Sequence, residues 1–182
     1  MLSLNEARRM IRAAEDEAGR HGYAVNIAVL DGGGHVIAQI RMDGALLAGV
    51  SEATNKAYTA CAFAIATKDL AGFARTAEER AGITHSNEKR IVVAAGGIPL
   101  RRQGRVIGAI GVSGGTESSN EMIAEAGARA FNAEYGNAAL RPTLSVEPAF
   151  RWNTPTQIAR LGNQRGIGAE YCQQSITLAQ QR

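Results

Sequence analysis

The first apolar positions of the chain are Leu4, Ala7, Met10, Ile11, Ala14 and Ala18. They recur every three or four residues, the spacing of one helix face. Ser3-Leu4-Asn5-Glu6 forms a capping box ahead of them, and Gly22 is placed to stop the helix. Val25 to Leu30 is a short apolar run, and His35 to Met42 alternates. Asp31-Gly32-Gly33-Gly34 lies between them and predicts a hairpin, because glycine takes the φ > 0 turn geometry at little cost. Ala45 to Ala66 reads as a long alanine-rich helix, with Thr67 as N-cap of a short one holding Leu70 and Phe73. The charged stretch Arg75 to Lys89 reads as a mobile surface loop.

Further on, Ile91 to Ala95 predicts a buried strand broken by Gly96-Gly97. Ile98–Arg101 and Val106–Ile110 flank Gln103-Gly104 and predict a second hairpin. A second capping box, Ser118-Ser119-Asn120-Glu121, opens a last helix running from about Ser119 to Phe131. Strands joined by tight turns pair antiparallel, and helices from both ends of the chain are available to cover them. The expected class is therefore α+β.

Composition changes this picture in one place. The chain has 182 residues, 45% hydrophobic, enough for one domain with a core. Residues 1–136 balance 15 Lys and Arg against 15 Asp and Glu. The five Arg and two Glu of residues 137–182 thus account for the whole net charge of +3. Pro142, Pro148, Pro155 and Trp152 also fall there, so residues 1–136 are read as the domain and 137–182 as a basic extension. Thr154-Pro155-Thr156-Gln157 predicts a short helix within that extension, to Leu161 before Gly162. Its arginines are scattered and no lysine joins them, which argues against nucleic-acid binding. No apolar run is long enough to span a bilayer. The polar start MLSLNEARRMI does not read as a signal peptide, and Cys61 and Cys172 read as free thiols of a cytoplasmic protein.

The glycine stretch Ser113-Gly114-Gly115-Thr116 lies between a strand and a helix, where backbone amides can cradle an anion. It lacks the lysine of a Walker A loop, and its glycine spacing differs from the dinucleotide fingerprint. Two readings remain: a sharp turn, or amides aimed at a carboxylate. Arg41 and Asp43 end a strand and pair with each other, cap the next helix, or meet a ligand. Lys56 stands in a mostly apolar helix and either snorkels to water or lines a pocket. His21, His35, His85 and Cys61 show no zinc spacing, and no metal site is expected from them.

The segments "NIAVLDGGGHVIAQIRMDGA", "NKAYTA" and "GGIPLRRQGRVIGAIGVSGGT", in that order, resemble the GlcG/HbpS family of haem-binding proteins, also seen as the C-terminal domain of PduO-type proteins. The resemblance covers about residues 3–131. It implies a profilin-like fold with a five-stranded antiparallel sheet flanked by helices, and homo-oligomers, often hexamers or octamers. It also implies haem as a possible cofactor, with no axial ligand position carried over.

Three functions follow. The first is a haem- or tetrapyrrole-binding oligomer with a sequestering or sensing role. His85, His35 and His21 are its axial candidates, with Met42 and Cys61 also available. The second is a catabolic enzyme acting on a carboxylate-bearing substrate, with Asp43 as base and Lys56 as electrostatic or Schiff-base group. The third is an accessory protein that stabilises a partner enzyme. For the first two, one pocket lined by Arg41, Asp43, Lys56, Ser113, Gly114, Gly115 and Thr116 would hold an anionic group.

Overall fold

The computed structural model describes residues 1–70, 77–85 and 87–135. Helix α1 spans Leu4–Arg20, and its capping box forms as the sequence predicts. The Ser3 hydroxyl accepts from the Glu6 amide at 3.3 Å, and Glu6 accepts from the Ser3 amide at 2.7 Å. Strands β1 (Asn26–Asp31) and β2 (Val36–Arg41) form the first hairpin. In its turn the Asp31 carboxylate accepts from the amides of Gly33 and His35, at 2.8 and 3.0 Å.

Strands β3 (Gly97–Arg102) and β4 (Arg105–Ser113) form the second hairpin. Gln103 and Gly104 both take positive φ there, 51° and 78°, the geometry whose twist suits a two-residue hairpin. β1 and β4 pair antiparallel and join the hairpins, so the order is β2-β1-β4-β3. Pro99 lies on the outer strand β3, where a missing amide is tolerated.

Helices cover both faces of the sheet. α1 and α5 (Glu117–Tyr135) lie on one face, over Ile27, Val29, Ile110 and Val112. On the other, α2 (Ala48–Phe63) lies over Ala28, Leu30 and Ala109. Central strand β1 is therefore apolar from Ile27 to Leu30 rather than alternating, because helices cover both of its faces there.

Small residues set the distance between layers. Ala28, Gly111 and Gly97 form one row across β1, β4 and β3. A Cβ on Gly111 would stand 2.1 Å from the Ala53 carbonyl, and one on Gly97 2.4 Å from that of Lys56. The backbone of α2 thus rests in the space those side chains would fill. On the far side a Cβ on Gly127 of α5 would meet Ile110 at 2.4 Å and the Met10 carbonyl at 3.0 Å.

Four expectations are corrected. The sheet has four strands among the described residues, not five. Ile91–Ala95 runs beside α2, and its Val92 amide donates to the Thr59 hydroxyl at 3.0 Å in place of a strand partner. The charged stretch expected as a loop contains α4 (Ala77–His85) and a 3-10 turn at Asn87–Lys89. Thr67 is the first residue of the short helix α3 (Thr67–Leu70) rather than its cap, and its hydroxyl accepts from the Gly97 amide at 2.9 Å. α5 starts at Glu117, and its first-turn amide at Ser119 is capped by the Thr116 hydroxyl, 3.2 Å away. Glu121, expected in that cap, instead accepts from the Gly96 amide at 2.9 Å. Phe73 and the helix expected at Thr154–Leu161 lie outside the described residues.

Candidate functional site

The register of the sheet brings sequence-distant polar residues into one row at one end. Asn26 of β1 pairs with Arg41 of β2 on one side and Ser113 of β4 on the other. Directly opposed residues share a face, and here it is the face under α2. Asn26 donates from Nδ2 to the Leu46 carbonyl at 3.0 Å, and Gln39 donates to the Val50 carbonyl at 2.7 Å. Gly49 lies over this row. A Cβ there would stand 2.4 Å from Asn26 Nδ2 and 3.4 Å from Ser113 Oγ.

Lys56 enters from α2. It is 1% exposed and among the largest fully buried side chains of the described residues. Its Nζ donates to the Val112 carbonyl at 3.2 Å and lies 3.1 Å from Glu52 Oε1, one helical turn back. The Ser113 hydroxyl donates to Glu52 Oε2 at 2.7 Å. One carboxylate therefore joins the lysine to the serine. Burial pushes the Glu52 carboxyl up, but the Ser113 hydrogen bond and the Lys56 charge outweigh it and hold the group below its usual value of 4.5. Glu52 is thus ionised near neutrality and supplies the counter-charge that a buried ammonium requires.

Asn26 is fully buried, and its Oδ1 has no hydrogen-bond partner among the described residues. An unsatisfied buried acceptor costs about 1–3 kcal/mol, so this atom marks the place where a donor would be held most favourably.

Of the residues singled out from sequence, Lys56 and Ser113 come together through Glu52, and Arg41 stands in the same row. Arg41 and Asp43 are exposed, no ion pair joins them, and α2 begins at Ala48 without a side-chain cap, so Asp43 does not cap it. Gly114 takes φ +131°, and a Cβ there would meet the Ala24 carbonyl at 2.8 Å. The Gly115 amide donates to Asn120 Oδ1 at 3.0 Å, while Asn120 Nδ2 donates back to the Gly115 carbonyl at 3.1 Å. Thr116 caps α5.

The histidines lie apart. His21 follows α1, with Nε2 3.3 Å from Glu17. His35 lies in the β1–β2 turn, at the opposite end of the sheet from Asn26, with Nδ1 3.5 Å from Asp31. His85 ends α4, where Nδ1 lies 2.8 Å from the Ala81 carbonyl. A carbonyl only accepts, so Nδ1 is the donor in this contact and Nε2 is the nitrogen not engaged by it. A cleft of about 720 Å³ lies beside α1, lined by Asp16, Glu17, Arg20, Met42 and Arg129 among others. Among the described residues no cluster of His, Cys, Asp and Glu is arranged for a metal ion, and no helix is long and apolar enough to cross a membrane.

Sequence reasoning missed Glu52 and Asn26. A spacing of four to Lys56 signals Glu52. Asn26 carries no local signal, because its neighbours in the site come from other strands.

An antiparallel sheet walled by helices on both faces, with a buried lysine paired to a half-exposed glutamate under one of them, defines a small α+β domain. The chain belongs to the family described as "Haem degrading protein HbpS-like", whose model matches residues 2–129. It is 34% identical over 131 residues to an uncharacterised 15.0 kDa protein of the dhaT-dhaS intergenic region of Citrobacter freundii, covering 72% of this chain and 92% of that protein. Among solved structures, Klebsiella pneumoniae protein ORFY superposes with TM-score 0.70 at 32% identity, over 72% of this chain and 91% of ORFY. A structure described as a PduOC:heme complex superposes with TM-score 0.67 at 30% identity, over 71% of this chain and 94% of that one.

Proposed function

We propose that this chain is a haem- or tetrapyrrole-binding protein, built on a profilin-like domain, assembled as a homo-oligomer of hexamer or octamer size, and acting in cytoplasmic sequestration or sensing of the cofactor. The observation that carries the reading is the likeness to a solved domain in complex with haem, at 30% identity over most of both chains. The arrangement of His85 supports it. Its Nδ1 is committed to the Ala81 carbonyl, which orients the exposed ring and leaves Nε2 as the ligand nitrogen, the usual backing of a metal-bound imidazole. His85 is the first axial candidate, ahead of His35 and His21, because its backing contact is 2.8 Å, against 3.5 Å from His35 to Asp31 and 3.3 Å from His21 to Glu17. Leu46 and Leu47, 70% and 73% exposed side by side, support association into an oligomer, because such apolar surface is better covered.

Hemin titration of the full chain tests this reading. A saturable Soret shift is expected for the wild type, lost or strongly altered in His85→Ala and retained in His35→Ala and His21→Ala. The absence of a saturable Soret change in the wild type would sink haem binding. An unchanged His85→Ala spectrum would sink the ligand assignment alone. Light scattering that returned a monomer would remove the oligomer.

A further inference from the structure

We propose that the polar end of the sheet is a binding site, separate from haem, for a small carboxylate that carries a hydrogen-bond donor on the carbon next to the carboxyl group. Three observations converge on it. Asn26 Oδ1 is a fully buried acceptor without a partner among the described residues. Glu52, beside it through Ser113, presents a half-exposed carboxylate whose two oxygens already receive Ser113 and Lys56 and still have acceptor capacity. Arg41, paired with Asn26 in the sheet, is exposed and has no ion-pair partner among the described residues.

The row therefore offers acceptors at its centre and a cation at its β2 edge. Arg41 and Asn26 are direct partners on adjacent strands, so one small molecule that meets both carries its carboxylate and its donor close together, as a 2-substituted acid does. The carboxylate meets the Arg41 guanidinium, and the donor meets Asn26 Oδ1 and Glu52. Lys56 does not bind the anion in this arrangement. Its charge is met by Glu52 and the Val112 carbonyl, and it holds Glu52 in place. Entry is by way of the turn between β2 and α2, which reaches Asn26 through the Leu46 carbonyl while its Leu46 and Leu47 side chains remain outside. Access to Asn26 requires this turn, and the first turn of α2 at Gly49, to move.

The test is a thermal-shift and NMR titration of the full chain with lactate, alanine and propionate. Lactate presents a hydroxyl and alanine an ammonium, and propionate lacks both. Saturable binding of lactate or alanine is expected, with propionate about tenfold weaker or worse. The better of the two identifies the donor. Arg41→Met, at an exposed position, should fold normally and weaken that ligand about tenfold or more, and Asn26→Leu should abolish the preference over propionate. Equal binding of all three, no saturable binding of lactate or alanine, or an Arg41→Met protein that binds like wild type overturns the proposal. Hemin binding does not enter this readout, so the haem reading and this one fail independently.

Discussion

Gly97 and Gly111 stand directly opposite each other on β3 and β4, and the backbone of α2 lies in the gap left by their missing side chains. The closest approach is between Gly111 and the Ala53 carbonyl, a backbone atom that cannot rotate away. Gly111→Ala should therefore force α2 outward and cost about 1–3 kcal/mol or more, the range of core overpacking. Urea denaturation measures it. A variant as stable as wild type would mean that the layer spacing is soft.

The ion pair under α2 should respond asymmetrically to substitution. Lys56→Met removes a buried charge and leaves Glu52 half exposed, where water solvates it. The carboxylate left behind is not buried, so the loss should be small, unlike that from leaving one charge of a pair uncompensated in the interior. Glu52→Gln instead leaves a buried ammonium with one carbonyl and no counter-charge, and should cost about 1–3 kcal/mol, below the figure for a pair buried on both sides. Denaturation of both variants checks the order, and a larger loss in Lys56→Met would reverse it.

Stability should fall on the acid side partly through Glu52. Its carboxyl is held below 4.5 in the folded chain, so the unfolded chain binds the proton more readily. The stabilisation is complete above that value and is lost as pH falls through the lower folded value. Lys68 behaves in the opposite sense. Its hydrogen bond to Glu121, with the charges of Glu121 and Glu125, holds its ammonium above 10.5 against the effect of burial. That contribution is complete below 10.5 and fades as pH rises through the folded value. Denaturation midpoints from about pH 3 to about pH 7 should give a shallower acid limb for Glu52→Gln than for wild type. Parallel limbs would remove Glu52 from the account.

The extension should be dispensable for folding. Among the described residues, the two buried clusters between Leu2 and Phe131 already cover both faces of the sheet. A chain ending at residue 136 should melt cooperatively within a few degrees of the full chain, as followed by circular dichroism. Insolubility or a broad, uncooperative melt would place the boundary elsewhere.

Local chemistry was enough for the elements whose determinants lie within a few residues of each other. The Ser3–Glu6 box starts α1, Asp31 and its glycines turn the first hairpin, and Gln103-Gly104 turns the second. Each is closed by hydrogen bonds or backbone angles within one turn, so the sequence alone determined them. The family resemblance carried by the same segments is borne out too. Ile91–Ala95 shows where that logic stops: an apolar run says that a segment is buried, not against what. Tertiary structure decided its partner, because the Thr59 hydroxyl on α2 takes the Val92 amide, and among the described residues no fifth strand lies on the outer edge of β3. The site followed the same division. Lys56 was legible as an odd residue on an apolar helix, and Ser113 as the end of a strand. Their junction through Glu52, and the row that sets Asn26 between Arg41 and Ser113, depend on strand register and on how deeply two glycines let α2 sink. Register joins residues as far as 87 positions apart, Asn26 to Ser113, and no local hydrogen bond encodes it; only packing of the whole sheet against its helices fixes it.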